Sequence, residues 1–110
     1  MSIASGNKAT VSTDGVSAWV RIPARQDNQY PMLVVGNPDN NWGGSTAAAV
    51  EICPDATIGN PIPAPLRESD NTTAVSFSSN DYRVLENVQG FARISVTDYV
   101  GSDDLTIQIV

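Results

Sequence analysis

Histidine is absent from this chain, and cysteine occurs once, at Cys53. Without histidine, the commonest general base, the usual activator of a serine or cysteine nucleophile and the commonest transition-metal ligand are all missing. A lone cysteine excludes an intrachain disulfide, so the fold must rest on its core or on neighbours. Charge is sparse at 16% of residues and leans to one sign, with 12 Asp and Glu against 6 Lys and Arg for a net charge of −6. Such a surface repels a phosphate backbone and gains nothing from an anionic membrane, so neither nucleic acid nor membrane is an expected partner. Aromatics are few, at 6%. The longest apolar run, "YPMLVV", is too short to span a bilayer, and the start, "MSIASGNKAT", has no apolar leader. The chain is therefore expected to begin near Met1 and to be made in a cytoplasm.

What is present is strand chemistry. At 110 residues there is room for one domain, 1–110, and one core. Ser, Thr, Asn and Gln carry most of the polarity, which suits half-buried strands joined by turns. Alternation recurs in "VSAWVRI" (16–22), which sets Val16, Ala18, Val20 and Ile22 on one face and Ser17, Trp19 and Arg21 on the other. "FARISVT" (91–97) and "LTIQIV" (105–110) alternate in the same way, and "TVST" (10–13), "MLVV" (32–35), "AVSF" (74–77) and "YRVLEN" (82–87) supply shorter strands. Between them lie "TDG", "VGNPDNN", "SSND", "NVQG" and "VGSDD", all of them turn chemistry. Residues 1–8 are expected to form a flexible N-terminal arm.

One stretch is contested. In "NPDNNWGGSTAAAVEICPDAT" (37–57), Ser45 could cap a helix over the alanines, alanine being the best helix former. Gly43-Gly44 before it and Pro54 after it leave about nine residues, a marginal helix. As a strand, Thr46, Ala48, Val50 and Ile52 share one face, and Ala47, Ala49, Glu51 and Cys53 the other. The strand is the expectation, its small alanines marking a place where another strand or subunit comes close. "NPIPAP" (60–65) reads as an extended edge segment, since its prolines exclude a central strand. The expected architecture is an antiparallel β-sandwich of about eight short strands, with the jelly roll as its candidate form.

Candidate sites are few. Asn37, Asp39 and Asn41 alternate as in a calcium loop, but Trp42 stands where the loop needs glycine and Ala48 where it needs a bidentate Glu, so an Asx turn is expected. "GSDD" (101–104) reads as a hairpin turn, and "NTT" (71–73) as loop. Nothing marks the carboxylate pair of a glycosidase. Cys53 has no visible activating base and reads as a small, partly buried residue. No metal or cofactor is expected. Trp42 reads as closing one end of the core or anchoring a contact. With Pro61, Pro63 and Pro65 it makes up the candidate interface set, because rigid aromatic and proline surfaces lose little entropy on docking. A core this small, beside an alanine-rich face and a proline edge, leads to an expectation of self-association as a homotrimer.

The order of pieces also resembles a family. A strand ending "DGVSAWVRIP", then "NWGGSTAAAVEICPDAT", then "YRVLENVQGFARISVTDY" and a closing "DDLTIQIV" look like small β-sandwich structural proteins of tailed bacteriophages. The likeness covers about residues 37–58 and 80–110. The alanine run and the loop "GNPIPAPLRESDN" depart from the family pattern. The resemblance implies a non-enzymatic virion component that decorates or cements the capsid surface and has the major capsid protein lattice as its partner. The alternative it leaves open is a carbohydrate- or receptor-binding module of a tail or fibre.

Overall fold

The alternation becomes ten strands in the computed structural model, which describes residues 3–24, 29–68, 70, 72–86, 88–100 and 103–110. They are β1 (Lys8–Val11), β2 (Gly15–Val16), β3 (Val20–Arg21), β4 (Met32–Gly36), β5 (Ala47–Cys53), β6 (Ala64–Pro65), β7 (Ser76–Phe77), β8 (Asp81–Val84), β9 (Phe91–Thr97) and β10 (Leu105–Ile109). No helix occurs among the described residues.

All strand pairs are antiparallel, in two sheets. One runs β1-β10-β4-β8; the other runs β2-β9-β5-β6, with β3 also on β9 and β7 also on β5. Because β2 and β3 share one neighbour and β6 and β7 another, the ten segments occupy eight positions. Numbered by position, the sheets run 1-8-3-6 and 2-7-4-5, which is the strand order of a jelly roll. The inner faces meet in one core. Leu33, Val35, Leu105, Ile107 and Ile109 pack from the four-stranded sheet against Val20, Ala48, Val50, Ile94 and Val96 from the other.

The contested stretch is a strand. β5 pairs with β9 along its whole length, from Ala47 opposite Thr97 to Cys53 opposite Phe91, and with β6 and β7 on its other side. A helix would forfeit both ladders. Ala48 is fully buried on the core face, and the small side chains let flanking strands close in.

Two expectations are corrected. Val16 was placed on one face with Val20, yet Val16 lies opposite Ser95 while Val20 lies opposite Ala92. Four steps along one strand thus match three along β9, and the extra residue is a β-bulge at Ser17–Ala18. The slip turns Val16 to the outside, where it is 50% exposed, while Trp19 becomes fully buried in a second cluster with Cys53, Ala56 and Phe91. The bulge leaves the Ile94 N–H without a ladder partner, and the Ser17 hydroxyl accepts it at 3.1 Å. Second, residues 3–8 are not a free arm. The Ala4 N–H donates to the Trp19 carbonyl at 2.7 Å, the Asn7 carbonyl accepts from Ile109, and Lys8 begins β1. Residues 1 and 2 lie outside the described set.

β6 and β7 are two halves of one edge strand interrupted by a hairpin. Leu66 donates to the Val50 carbonyl, Val50 donates to the Val75 carbonyl, and Val75 donates back to Leu66, so the strand closes beneath the excursion. Above this closure Arg67 pairs with Ala74. The Asp70 carboxylate accepts from both Thr72 and Thr73 N–H groups and from the Thr73 hydroxyl. These bonds, the Thr73 hydroxyl foremost, hold the Asp70 carboxyl well below the usual carboxylate range.

Candidate functional site

Trp42, the leading interface candidate, is not on the surface. It is 3% exposed, and its indole N–H donates to Asn80 Oδ1 at 2.7 Å. The turn before it is stitched by asparagines. The same Asn80 Oδ1 accepts from the Asn37 N–H, and Asn80 Nδ2 donates to the Asn37 carbonyl at 2.6 Å. The Asn37 side chain accepts from the Asn41 N–H and donates to the Asn41 carbonyl and the Tyr99 hydroxyl. Gly43 follows at φ +87°, a left-handed conformation that glycine adopts without strain, and it lets Val100 lie against the turn. Trp42 therefore plugs one end of the sandwich. The turn reading of "NPDNN" holds: the Asn40 N–H donates to the Asn37 carbonyl at 3.1 Å, and the Asn37 side-chain oxygen is taken up by the Asn41 N–H.

The proline candidates divide. Pro61 is buried, while Pro63 and Pro65 are exposed. Pro65 sits opposite Glu51 at the outward-facing position of its strand, where a backbone N–H would otherwise point into solvent. Cys53 is buried against Trp19 and Phe91, and burial pushes its thiol upward. At the Trp42 end, a hydrogen bond with the Asp39 side chain and the Asp39 charge raise the Asp103 carboxyl above the usual carboxylate range. No group of three potential metal-ligating side chains occurs among the described residues. Residues 101 and 102 of "GSDD" and Asn71 of "NTT" lie outside that set.

Two charged side chains that sequence reading passed over bind elements together. Arg93 donates to Glu51 Oε1 at 2.7 Å across β9 and β5, and its guanidinium lies 4.4 Å from the centre of the Trp19 ring. Arg83, on edge strand β8, reaches Glu68 of the hairpin at 3.2 Å and covers the Phe77 ring, tying the rims of the two sheets. An open groove of about 710 Å³ runs between those rims, lined by Ile52, Leu66, Val75, Leu85 and Val88 beside this ion pair.

Exposed apolar side chains gather on the outer face of β1-β10-β4-β8. The strand register sets Lys8, Gln108, Val34 and Tyr82 in one row across it. Val110, Met32 and Val84 form the next row, Val110 and Met32 exchanging both backbone bonds. Tyr82, Val84 and Val110 are 55%, 47% and 58% exposed, with Met32 and Val34 half-buried between them. None of the 12 acidic residues lies on β1, β4 or β10. Lys8, Thr10, Thr106 and Gln108 make the β1 and β10 part of the face polar, while its β4 and β8 part, apolar on an otherwise acidic molecule, has the composition of a docking surface. The period-two pattern held the signal, since Met32 and Val34 are apolar at positions where one-sided burial calls for polar residues.

In comparisons with known proteins, no family model, no curated protein and no solved structure matches this chain.

Proposed function

We propose that this chain is a non-enzymatic structural protein of a phage virion, which decorates the capsid and stabilises the head by laying the outer face of β1-β10-β4-β8 on the capsid protein lattice. The observation that carries the reading is that face, with Tyr82, Val84 and Val110 presented on strands that a packed core holds rigid. The absence of histidine and the buried, base-less Cys53 support the non-enzymatic part. The jelly roll is used by viral capsid and lectin domains alike, so the fold is compatible with the role but does not select it. Lattice binding needs no deep pocket, because weak contacts repeated by symmetry act together. The glycan-binding alternative calls for a platform of exposed aromatics, and with both tryptophans buried the exposed rings are those of Tyr30 and Tyr82.

The test is to locate the chain in purified particles and then to measure its binding to isolated heads. Tyr82→Asp and Val84→Asp should fold normally and bind heads at least about tenfold more weakly, the loss expected when anchors at the centre of a contact are removed. Heads lacking the protein should release their genome at lower temperature. Fractionation with tails, or retention of a labelled glycan without head binding, would favour the tail module.

A further inference from the structure

The two sheets have four open edges, and three are blocked. On β8, Tyr82 points its backbone groups away from β4, but the Asp81 carboxylate accepts its N–H at 2.8 Å and Arg83 donates to its carbonyl at 2.9 Å. On the β6/β7 edge, Pro65 removes the outward N–H and the hairpin interrupts the strand. On the β2/β3 edge, the bulge breaks the line and Ala4 occupies the Trp19 carbonyl. These are the devices by which sheet proteins prevent strand addition.

β1 has none of them. Its odd residues bond β10, as the bond from Ile109 to the Asn7 carbonyl fixes, so Lys8 and Thr10 turn their N–H and carbonyl groups outward. No described residue pairs with them. We propose that a second copy of this chain adds to this edge antiparallel, two-fold about Ala9, joining the two four-stranded sheets into one.

The register follows from the outward groups and from charge. Strand addition exchanges both backbone bonds between directly opposed outward residues, so even-numbered positions must meet. Centring on Ala9 sets Lys8 of one copy opposite Thr10 of the other and uses the whole of β1. Shifting the centre to Lys8 would place like charges face to face, which is destabilising. Charge also singles out this edge. Two molecules of net charge −6 repel, yet the contact brings together Asn7–Thr13, a run with no acidic residue and one lysine. The contact is isologous and closes at two copies, where the sequence led to an expectation of three. It stands without the lattice reading, and where both hold, the joined sheets double the docking face.

The experiment reads amide hydrogen exchange and mass on the free protein. Raising the concentration from low micromolar to millimolar should slow exchange of the Lys8 and Thr10 amides at least about tenfold while the Ala9 amide, already bonded to Ile107, changes little. Sedimentation should show a monomer–dimer equilibrium over the same range. Thr10→Pro removes only an outward N–H, a position where edge strands accept proline, and should leave a folded monomer. Thr10→Lys keeps the backbone donor and opposes two lysines in the pair, and it should be monomeric as well. A wild-type mass of one chain or three throughout, freely exchanging Lys8 and Thr10 amides at millimolar concentration, or dimers in both variants would each overturn the proposal. No capsid enters these measurements, so their failure is separable from failure of head binding.

Discussion

Replacing Asn80 by alanine should cost this domain far more than an exposed turn residue ordinarily does. Its side chain satisfies three groups at once: the Asn37 N–H at 2.9 Å, the Asn37 carbonyl at 2.6 Å and the Trp42 indole N–H at 2.7 Å. Asn37 and Trp42 are 5% and 3% exposed, so none of the three finds full hydration when the amide is removed. An unsatisfied buried group costs about 1–3 kcal/mol. Asn80 itself lies at the rim, where water can partly replace it, which puts the total at about 2–4 kcal/mol. For a domain of this size that lowers the melting temperature by roughly 10–15 °C. Urea unfolding followed by tryptophan fluorescence measures it directly. Trp42→Phe removes the indole donor together with part of the buried ring. A double-mutant cycle with Asn80→Ala should then return a coupling of about 1 kcal/mol. If Asn80→Ala unfolds within 1 kcal/mol of the parent and the cycle shows no coupling, the asparagine network does not hold the tryptophan in place.

Further outcomes follow from other contacts. Trp42→Ala should lose about 3–5 kcal/mol, as large-to-small changes of buried aromatics do, and should reduce head binding only by unfolding. Ser17→Ala, which orphans the buried Ile94 N–H at the bulge, should lower stability by about 1–2 kcal/mol in the same unfolding assay, whereas Ser17→Thr should recover most of it. Arg93→Lys should not restore what Arg93→Ala loses, because the ammonium cannot both stack on Trp19 and pair with Glu51; thermal melts of the three proteins decide this. Asp70 has a folded-state pKa below its unfolded value, so its contribution is present above the unfolded pKa and is lost as pH falls through the folded one. Asp70→Asn should flatten the acid limb of the melting-temperature profile. Asp103 has the opposite sign: its raised pKa makes ionisation beside Asp39 unfavourable, so Asp103→Asn should raise the melting temperature at pH 7 and leave it unchanged at low pH.

How far the fold was legible depended on whether local pattern and long-range pairing agreed. In β9, alternation of Ala92, Ile94 and Val96 with Arg93 and Ser95 marks the strand to the residue, because β5 pairs with it in regular register along its whole length. At 16–22 the pattern is equally clean and still misleads. The bulge is set by β9, and its signature is only a serine whose hydroxyl replaces a ladder acceptor. Trp42 beside two glycines has the composition of an exposed loop, and nothing local announces that Asn80, 38 residues on, supplies its hydrogen bond. The exposed apolar face was missed for a related reason. Apolar residues on both sides of β4 read as a short buried run, and only the sheet order shows that nothing among the described residues covers the outer side.

The hairpin between β6 and β7 has a consequence for what this scaffold can carry. Since Leu66, Val50 and Val75 complete the strand underneath it, the excursion is a detachable ornament on a closed sheet. A foreign peptide inserted between Thr72 and Thr73 should cost the Asp70 bonds to Thr73 and the closure entropy of a longer loop, the latter about 0.6 kcal/mol for each doubling of its length. The core need not know that the insert is there.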